Sequence, residues 1–183
     1  MLAANLYRIL GKKSRTVGSS DQAEGDSVHI RKEESNFSEN VLDYSKKQIL
    51  HLDKNFNFKS FLEGSKSAFN LIVTSYKTNS LEEAKSFVSK NVFDMFRKVI
   101  LDEGKITIIK SFRIVKLRAS IQSIEVIKEI AKIKVEFISD QEVELENNSG
   151  LKNVNNIRDL WTFEKNITDK SNPNWILIEV NSK

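Results

Sequence analysis

The stretch Asp159 to Val180, DLWTFEKNITDKSNPNWILIEV, constrains the fold more than any other part of the chain, because it holds both tryptophans and the single proline. Two runs rich in aromatic and branched residues, Leu160 to Ile167 and Trp175 to Val180, flank the polar segment Asp169 to Asn174, where Pro173 has no N–H to give to a strand ladder. That pattern predicts strand, turn, strand. Side chains alternate faces along a strand, so Trp161, Phe163 and Ile167 share one face of the first run. In the second, Trp175 and Leu177 oppose Ile176, Ile178 and Val180. Large apolar residues on both faces of the last strand call for cover on both sides. Both indoles are expected to be largely buried.

Upstream the period is helical. Phe58, Phe61, Leu62, Ser65, Phe69, Ile72, Val73 and Tyr76 form one stripe of the segment Phe58 to Lys77, with Lys59, Glu63, Lys66 and Asn70 opposite and Asn57 at the N-cap. This is the predicted core helix. Gly64 costs about 1 kcal/mol in a helix interior, which predicts the close approach of another backbone. Ser80 with Glu83 has the form of a capping box that opens a short helix, Leu81 to Val88, turning Leu81, Ala84 and Val88 inward. Ser89 caps a further helix to about Glu103, with Val92, Phe93, Phe96, Val99 and Ile100 apolar, and Gly104 ends it. Earlier in the chain, Ser38 caps a thinner amphipathic helix to about Leu52. Its stripe is Val41, Leu42, Ser45, Ile49 and Leu52, with Lys46 and Lys47 beside it, which predicts a surface position.

Beyond Gly104 the period changes to two. Val115, Leu117, Ala119 and Ile121 alternate with polar residues, as do Ala131, Ile133, Val135 and Phe137, giving two half-buried antiparallel strands to join the terminal pair. Asp140, Glu142, Glu144 and Glu146 also alternate, and two readings compete for them. Calcium needs oxygen ligands that converge, whereas acids along a strand diverge, so a charged sheet edge is the better reading. Asn147 to Asn156 has the composition of a polar loop.

The N-terminus carries the excess charge. Arg8, Lys12, Lys13 and Arg15 are the only charged side chains in the first sixteen residues; setting these four aside from the 29 basic residues leaves 25, against 25 acids in the remainder. A nucleic-acid binder carries its basic face on the folded body, so nucleic acid is not an expected partner. Leu2, Leu6, Ile9 and Leu10 share one helical face, but ten residues span only about 15 Å, roughly half of a hydrocarbon core. Such a segment can lie in a membrane interface. A secretory signal has its basic region before the apolar one, the reverse of the order here. Ser14 to Asn36 is poor in large apolar residues and is expected to be a disordered linker, with His29 exposed in it.

Several chemistries are absent. No cysteine means no disulfide and no thiolate zinc, and none of the six glycines forms a phosphate-cradling loop. His51 has no nucleophile or carboxylate at useful spacing, and nothing singles out Asp94, Asp159 or Tyr76 as an acid or base. No catalytic residue, metal or cofactor is expected.

Helices followed by four antiparallel strands define an α+β fold with helices packed on one face of the sheet. An apolar recess between sheet and core helix is expected from Phe69, Ile72, Phe96, Trp161, Phe163 and Trp175. DLWTFEKNI with NPNWILIEV, and FLEGSKSAFNLIVTSYKTNSLEEAKSFVSKNVFDMF, resemble the Tim-44-like domain family, the matrix-side tether of the mitochondrial import motor and its bacterial relatives. The resemblance implies a curved sheet closed into a cone of the nuclear-transport-factor-two type, and a non-catalytic, membrane-associated adaptor or tether of a protein-transport or envelope-assembly system. MLAANLYRILGKKSR resembles the last turns of the hydrophobic anchor that begins many bacterial members. The organisation implied is a basic stub and linker over 1–36, an amphipathic helix and hinge over 37–56, and the Tim-44-like domain over 57–183. Anionic lipids are then the expected partner of Leu2, Leu6, Arg8, Ile9, Leu10, Lys12, Lys13 and Arg15, and of Lys46, Lys47, Ile49 and Leu52 in the thin helix, alongside a protein partner. The implied location is the bacterial inner membrane, or the matrix side of the mitochondrial inner membrane in a eukaryote. The alternative function is a small-molecule-binding or enzymatic cone that uses the apolar recess.

Overall fold

A computed structural model describes residues 27–102, 109–145 and 148–182. Helices α1 (Ser27–Leu52) and α2 (Phe58–Lys77), a 3-10 helix (Leu81–Phe87) and α3 (Lys90–Asp102) precede strands β1 (Ile109–Ile127), β2 (Ile130–Leu145), β3 (Asn148–Asn166) and β4 (Ile176–Ser182). The strands form one open antiparallel sheet in the order β1-β2-β3-β4. The fold is the α+β arrangement that the pattern predicted.

α2 is held at its start by the Asn57 side chain, which accepts from the Ser60 N–H at 2.9 Å. It buries Phe61, Ser65, Phe69, Ile72, Val73 and Tyr76, the predicted stripe. These residues meet the inner face of the sheet: the Phe69 ring stacks on Phe137 at 4.5 Å and lies 4.6 Å from Trp161. α3 starts at Ser89, whose hydroxyl accepts from the Val92 N–H at 3.3 Å, and it buries Val92, Phe93 and Phe96. Its predicted stop at Gly104 lies outside the described residues.

Three helical expectations are corrected. α1 is helical from Ser27, ahead of the expected cap at Ser38 and inside the tract read as disordered. Gly25 and Gly64 bracket a stretch with no glycine or proline, so once started the helix meets no breaker before the Asp53 turn. The segment after Ser80 is a 3-10 helix, and Ser80 makes no side-chain cap. Leu81, Ala84 and Phe87 recur every three residues, which suits three residues per turn better than 3.6; Leu81 and Ala84 are buried and Phe87 half-buried. Finally, a Cβ built on Gly64 meets nothing within 4 Å, so no backbone approaches it.

The sheet departs from simple alternation at bulges. β1 slips register between Ile114 and Lys116 and between Ile121 and Ser123, so Val115 and Gln122 are extra residues. Phe112 and Ile114, then Leu117, Ala119 and Ile121, then Ile124 and Val126 face inward in turn, while Val115, predicted inward, is 47% exposed. β4 slips at Ile178 against β3, which brings Leu177 and Val180 to the core side together although the alternation placed them on opposite faces. Asn148 to Asn156 is the first half of β3, not a loop, paired across Gln141–Val154 and Glu144–Leu151. β2 is therefore an interior strand, and its acidic row is not a sheet edge. Glu142 accepts from Arg113 Nε at 3.1 Å, Glu144 from Lys110 at 2.8 Å, and Asp140 from the Asn156 N–H at 2.9 Å. Glu146 lies outside the described residues.

Candidate functional site

α1 has two sides. Leu42, Ser45, Ile49 and Leu52, at spacings of three and four, turn toward the core, where Ile49 is fully buried and Leu42 and Leu52 pack against the buried cluster. Ile49 and Leu52, both expected to meet lipid, are thus committed to holding α1 on the body; Ile49 offers lipid no surface at all. Val41, assigned to the same stripe from sequence, is 48% exposed. Tyr44 is 65% and Leu50 38% exposed, and Lys47 and His51 are exposed among them. Lys46 donates to Asp43 at 3.1 Å, so its charge is partly matched within the helix. Sequence reasoning missed Tyr44 and Leu50. Their signal was an aromatic and an aliphatic residue off the inward stripe of a helix whose opposite face should be polar. Leu2, Leu6, Arg8, Ile9, Leu10, Lys12, Lys13 and Arg15 lie outside the described residues.

The turn after α1 is tied to the far end of the chain. Asp53 accepts from Lys170 Nζ at 3.0 Å and from the Asn55 N–H at 3.1 Å. The Lys170 hydrogen bond first, then the Asn55 N–H, hold its carboxyl below the ordinary aspartate value. A loop between β3 and β4 is thereby fixed against the α1–α2 turn.

The residues expected to line the recess fall into two groups. Phe69 and Ile72 are fully buried, Trp161 is 2% exposed and Phe96 3%, and their neighbours are other side chains: Phe137 for Phe69 and Trp161, Tyr76 for Phe96 at 5.4 Å. These four belong to the packed interior. Phe163 and Trp175 line a different space, a groove of about 310 Å³ outside α2, bordered also by Gly64, Ala68, Leu71 and Phe87. Trp175, expected to be largely buried, is half-buried there. The Pro173–Trp175 segment forms a rim that alternation along β4 does not predict, because it belongs to the loop before the strand.

The candidate acids and bases lie on three different elements. Asp94 is exposed on α3 and paired with Lys90, Tyr76 is buried in α2 against Phe96, and Asp159 is buried on the inner face of β3 opposite Phe137. Among the described residues no three metal-ligating side chains come together, and no helix is long and apolar enough to cross a membrane.

An open four-stranded antiparallel sheet with helices against its inner face, and a helix turning aromatic, aliphatic and cationic side chains outward, define an α+β cone-type domain. The Tim44-like domain profile matches residues 43–182, and the chain belongs to that family. The match begins within α1, so the second half of that helix is part of the domain. No curated protein matches the chain. Membership of the family points to protein transport or membrane association.

Proposed function

We propose that this protein is a non-catalytic adaptor or tether that sits on an anionic membrane and holds a protein partner of a transport or envelope-assembly system. The observation that carries this reading is the outward face of α1, where Val41, Tyr44 and Leu50 are exposed beside Lys47. Aromatic and aliphatic side chains among cations suit the boundary between headgroups and acyl chains. The basic segment that ends at Arg15 supplies a second contact, and residues between it and α1 act as spacer. The membrane is the bacterial inner membrane, or the matrix face of the mitochondrial one. Ile49 and Leu52 of the earlier set hold the helix on the body, and Lys46 contributes less than Lys47 because Asp43 accompanies it. A ligand inside the cone is the weaker reading, since Phe69, Phe137 and Trp161 pack against one another there.

Co-sedimentation with vesicles of one-third anionic lipid tests the proposal. The full chain is expected in the pellet, and Tyr44→Ala with Lys47→Glu is expected to release most of it while leaving the melting temperature within a degree or two, as both positions are exposed. Undiminished pelleting of that double variant counts against α1 as the contact.

A further inference from the structure

The groove outside α2 contains a cost that the fold does not explain. Gly64 stands in the middle of a 20-residue helix, where glycine is about 1 kcal/mol worse than alanine, yet a Cβ there would meet nothing within 4 Å. Neither a turn nor a close neighbour requires it. A side chain at 64 would instead stand in the groove, because Gly64 is part of its lining. The walls are aromatic. Phe56, Phe61, Phe163 and Trp175 form an edge-to-face series, with Phe61 at 4.8 Å from Trp175 and 6.1 Å from Phe163, and Phe56 at 5.9 Å from Trp175. Trp175, between Phe61 and Phe56 in this series, is half-buried on one wall, and half-buried Phe87 is on the groove lining as well. The lining also includes Ser60 and Asn174, which supply polar groups at an otherwise apolar site.

We propose that this groove binds a small planar aromatic molecule of phenol or indole class, whose ring packs against the exposed parts of Trp175 and Phe87 and lies over the bare backbone at Gly64. The volume of about 310 Å³ stands at the lower limit of ligand sites, large enough for one or two fused rings. Edge-to-face ring contacts favour an aromatic guest over a saturated one of equal size. Ser60 and Asn174 on the lining carry polar groups that suit a guest with one hydroxyl or amine. This site is separate from the outward face of α1 and does not depend on membrane attachment.

The two tryptophans make the test internally controlled, since Trp161 is buried elsewhere in the core. In amide and indole N–H spectra of the full chain titrated with indole, the Trp175 indole and Gly64 signals are expected to shift saturably, with a Kd of about 1 mM or tighter, while the Trp161 indole signal stays in place. Cyclohexanol, of similar size to phenol but without a ring face, is expected to bind at least about 5-fold more weakly than phenol. Gly64→Leu fills the groove from an open helix position, so it is expected to keep or raise the melting temperature and weaken indole at least about 10-fold. Gly64→Ala, with a smaller intrusion, separates filling from any helix effect and is expected to fall between. No saturable shift at Trp175, or indole binding unchanged in a folded Gly64→Leu protein, overturns the site. Cyclohexanol binding as tightly as phenol overturns the aromatic class.

Discussion

Trp161 and Trp175 have the same chemistry and different work. Trp161 is 2% exposed, with its ring against Phe69 and Phe137, so Trp161→Ala leaves a large cavity and is expected to cost about 3–5 kcal/mol in chemical denaturation. Trp175 is half-buried between Phe56 and Phe61, and Trp175→Ala is expected to cost clearly less, about 1–3 kcal/mol; equal losses would show that the groove wall is as closed as the core. Trp161 also has an indole N–H with no hydrogen-bond partner, so Trp161→Phe removes a buried unsatisfied donor and is expected to lose much less than the alanine variant. Glu179 sets a pH dependence at the same scale. Hydrogen bonds from Asn181 and Thr162, aided by Lys134 and Lys132 and opposed by desolvation, hold its carboxyl below the ordinary value of 4.5. A depressed folded-state value means that its contribution is complete above the unfolded value and is lost as pH falls through the folded one. Melting temperature is therefore expected to drop as pH goes below about 4.5, and Glu179→Gln to flatten that part of the profile; an identical slope in the variant rules Glu179 out as a contributor.

Among the elements, those whose burial follows one unbroken period were legible from sequence. The α2 stripe from Phe61 to Tyr76, the Ser89 cap of α3 and the inward pair Trp161 and Phe163 of β3 all follow spacing alone. Bulges hid the rest, because an extra residue at Val115, Gln122 or Ile178 shifts the inward set by one and composition carries no mark of where the slip falls. The first half of β3 was hidden for another reason: Lys152, Asn153 and Asn155 are exposed there, so strand pairing rather than burial makes it a strand. The groove was half legible, through Gly64 as an anomaly, but its walls come from the 3-10 helix and the loop before β4, which only the fold brings to α2. The β1–β2 turn allows a direct test of local strain. Lys128 has φ of 56°, a left-handed value that costs a residue with a Cβ about 1–2 kcal/mol and glycine almost nothing. Lys128→Gly is expected to raise the melting temperature by a few degrees despite glycine's greater freedom in the unfolded chain, and a fall would mean that the Lys128 side chain is itself stabilising.

For the molecule as a whole, the proposed membrane attachment turns on where the charge lies. With the four N-terminal cations set aside, the rest of the chain holds 25 basic and 25 acidic residues; Asp21, Glu24 and Asp26 precede α1, so from Ser27 onward 25 basic residues face 22 acidic ones, a small excess that attracts the body to lipid only weakly. Arg8, Lys12, Lys13 and Arg15 at about 1 kcal/mol each give roughly 4 kcal/mol before screening, a millimolar contact by itself. The α1 face adds Lys47 and the partly exposed Val41, Tyr44 and Leu50, also weak alone. On this proposal the two contacts, separated by residues 16–40 of which 27–40 are helical, raise each other's effective concentration, and their combination is expected to be much stronger than either. Three consequences separate this from simple hydrophobic adsorption. Binding to anionic vesicles is expected to weaken steeply between about 0.05 and 0.15 M salt, because the N-terminal contact is electrostatic and screened. Deletion of residues 1–15, or Tyr44→Ala with Lys47→Glu, is expected to leave a weak remnant in each case, while the two changes together abolish binding. Neutral vesicles are expected to retain little of the protein at any salt; equal retention on neutral and anionic vesicles, or binding unaffected by the N-terminal deletion, would show that charge does not hold it there.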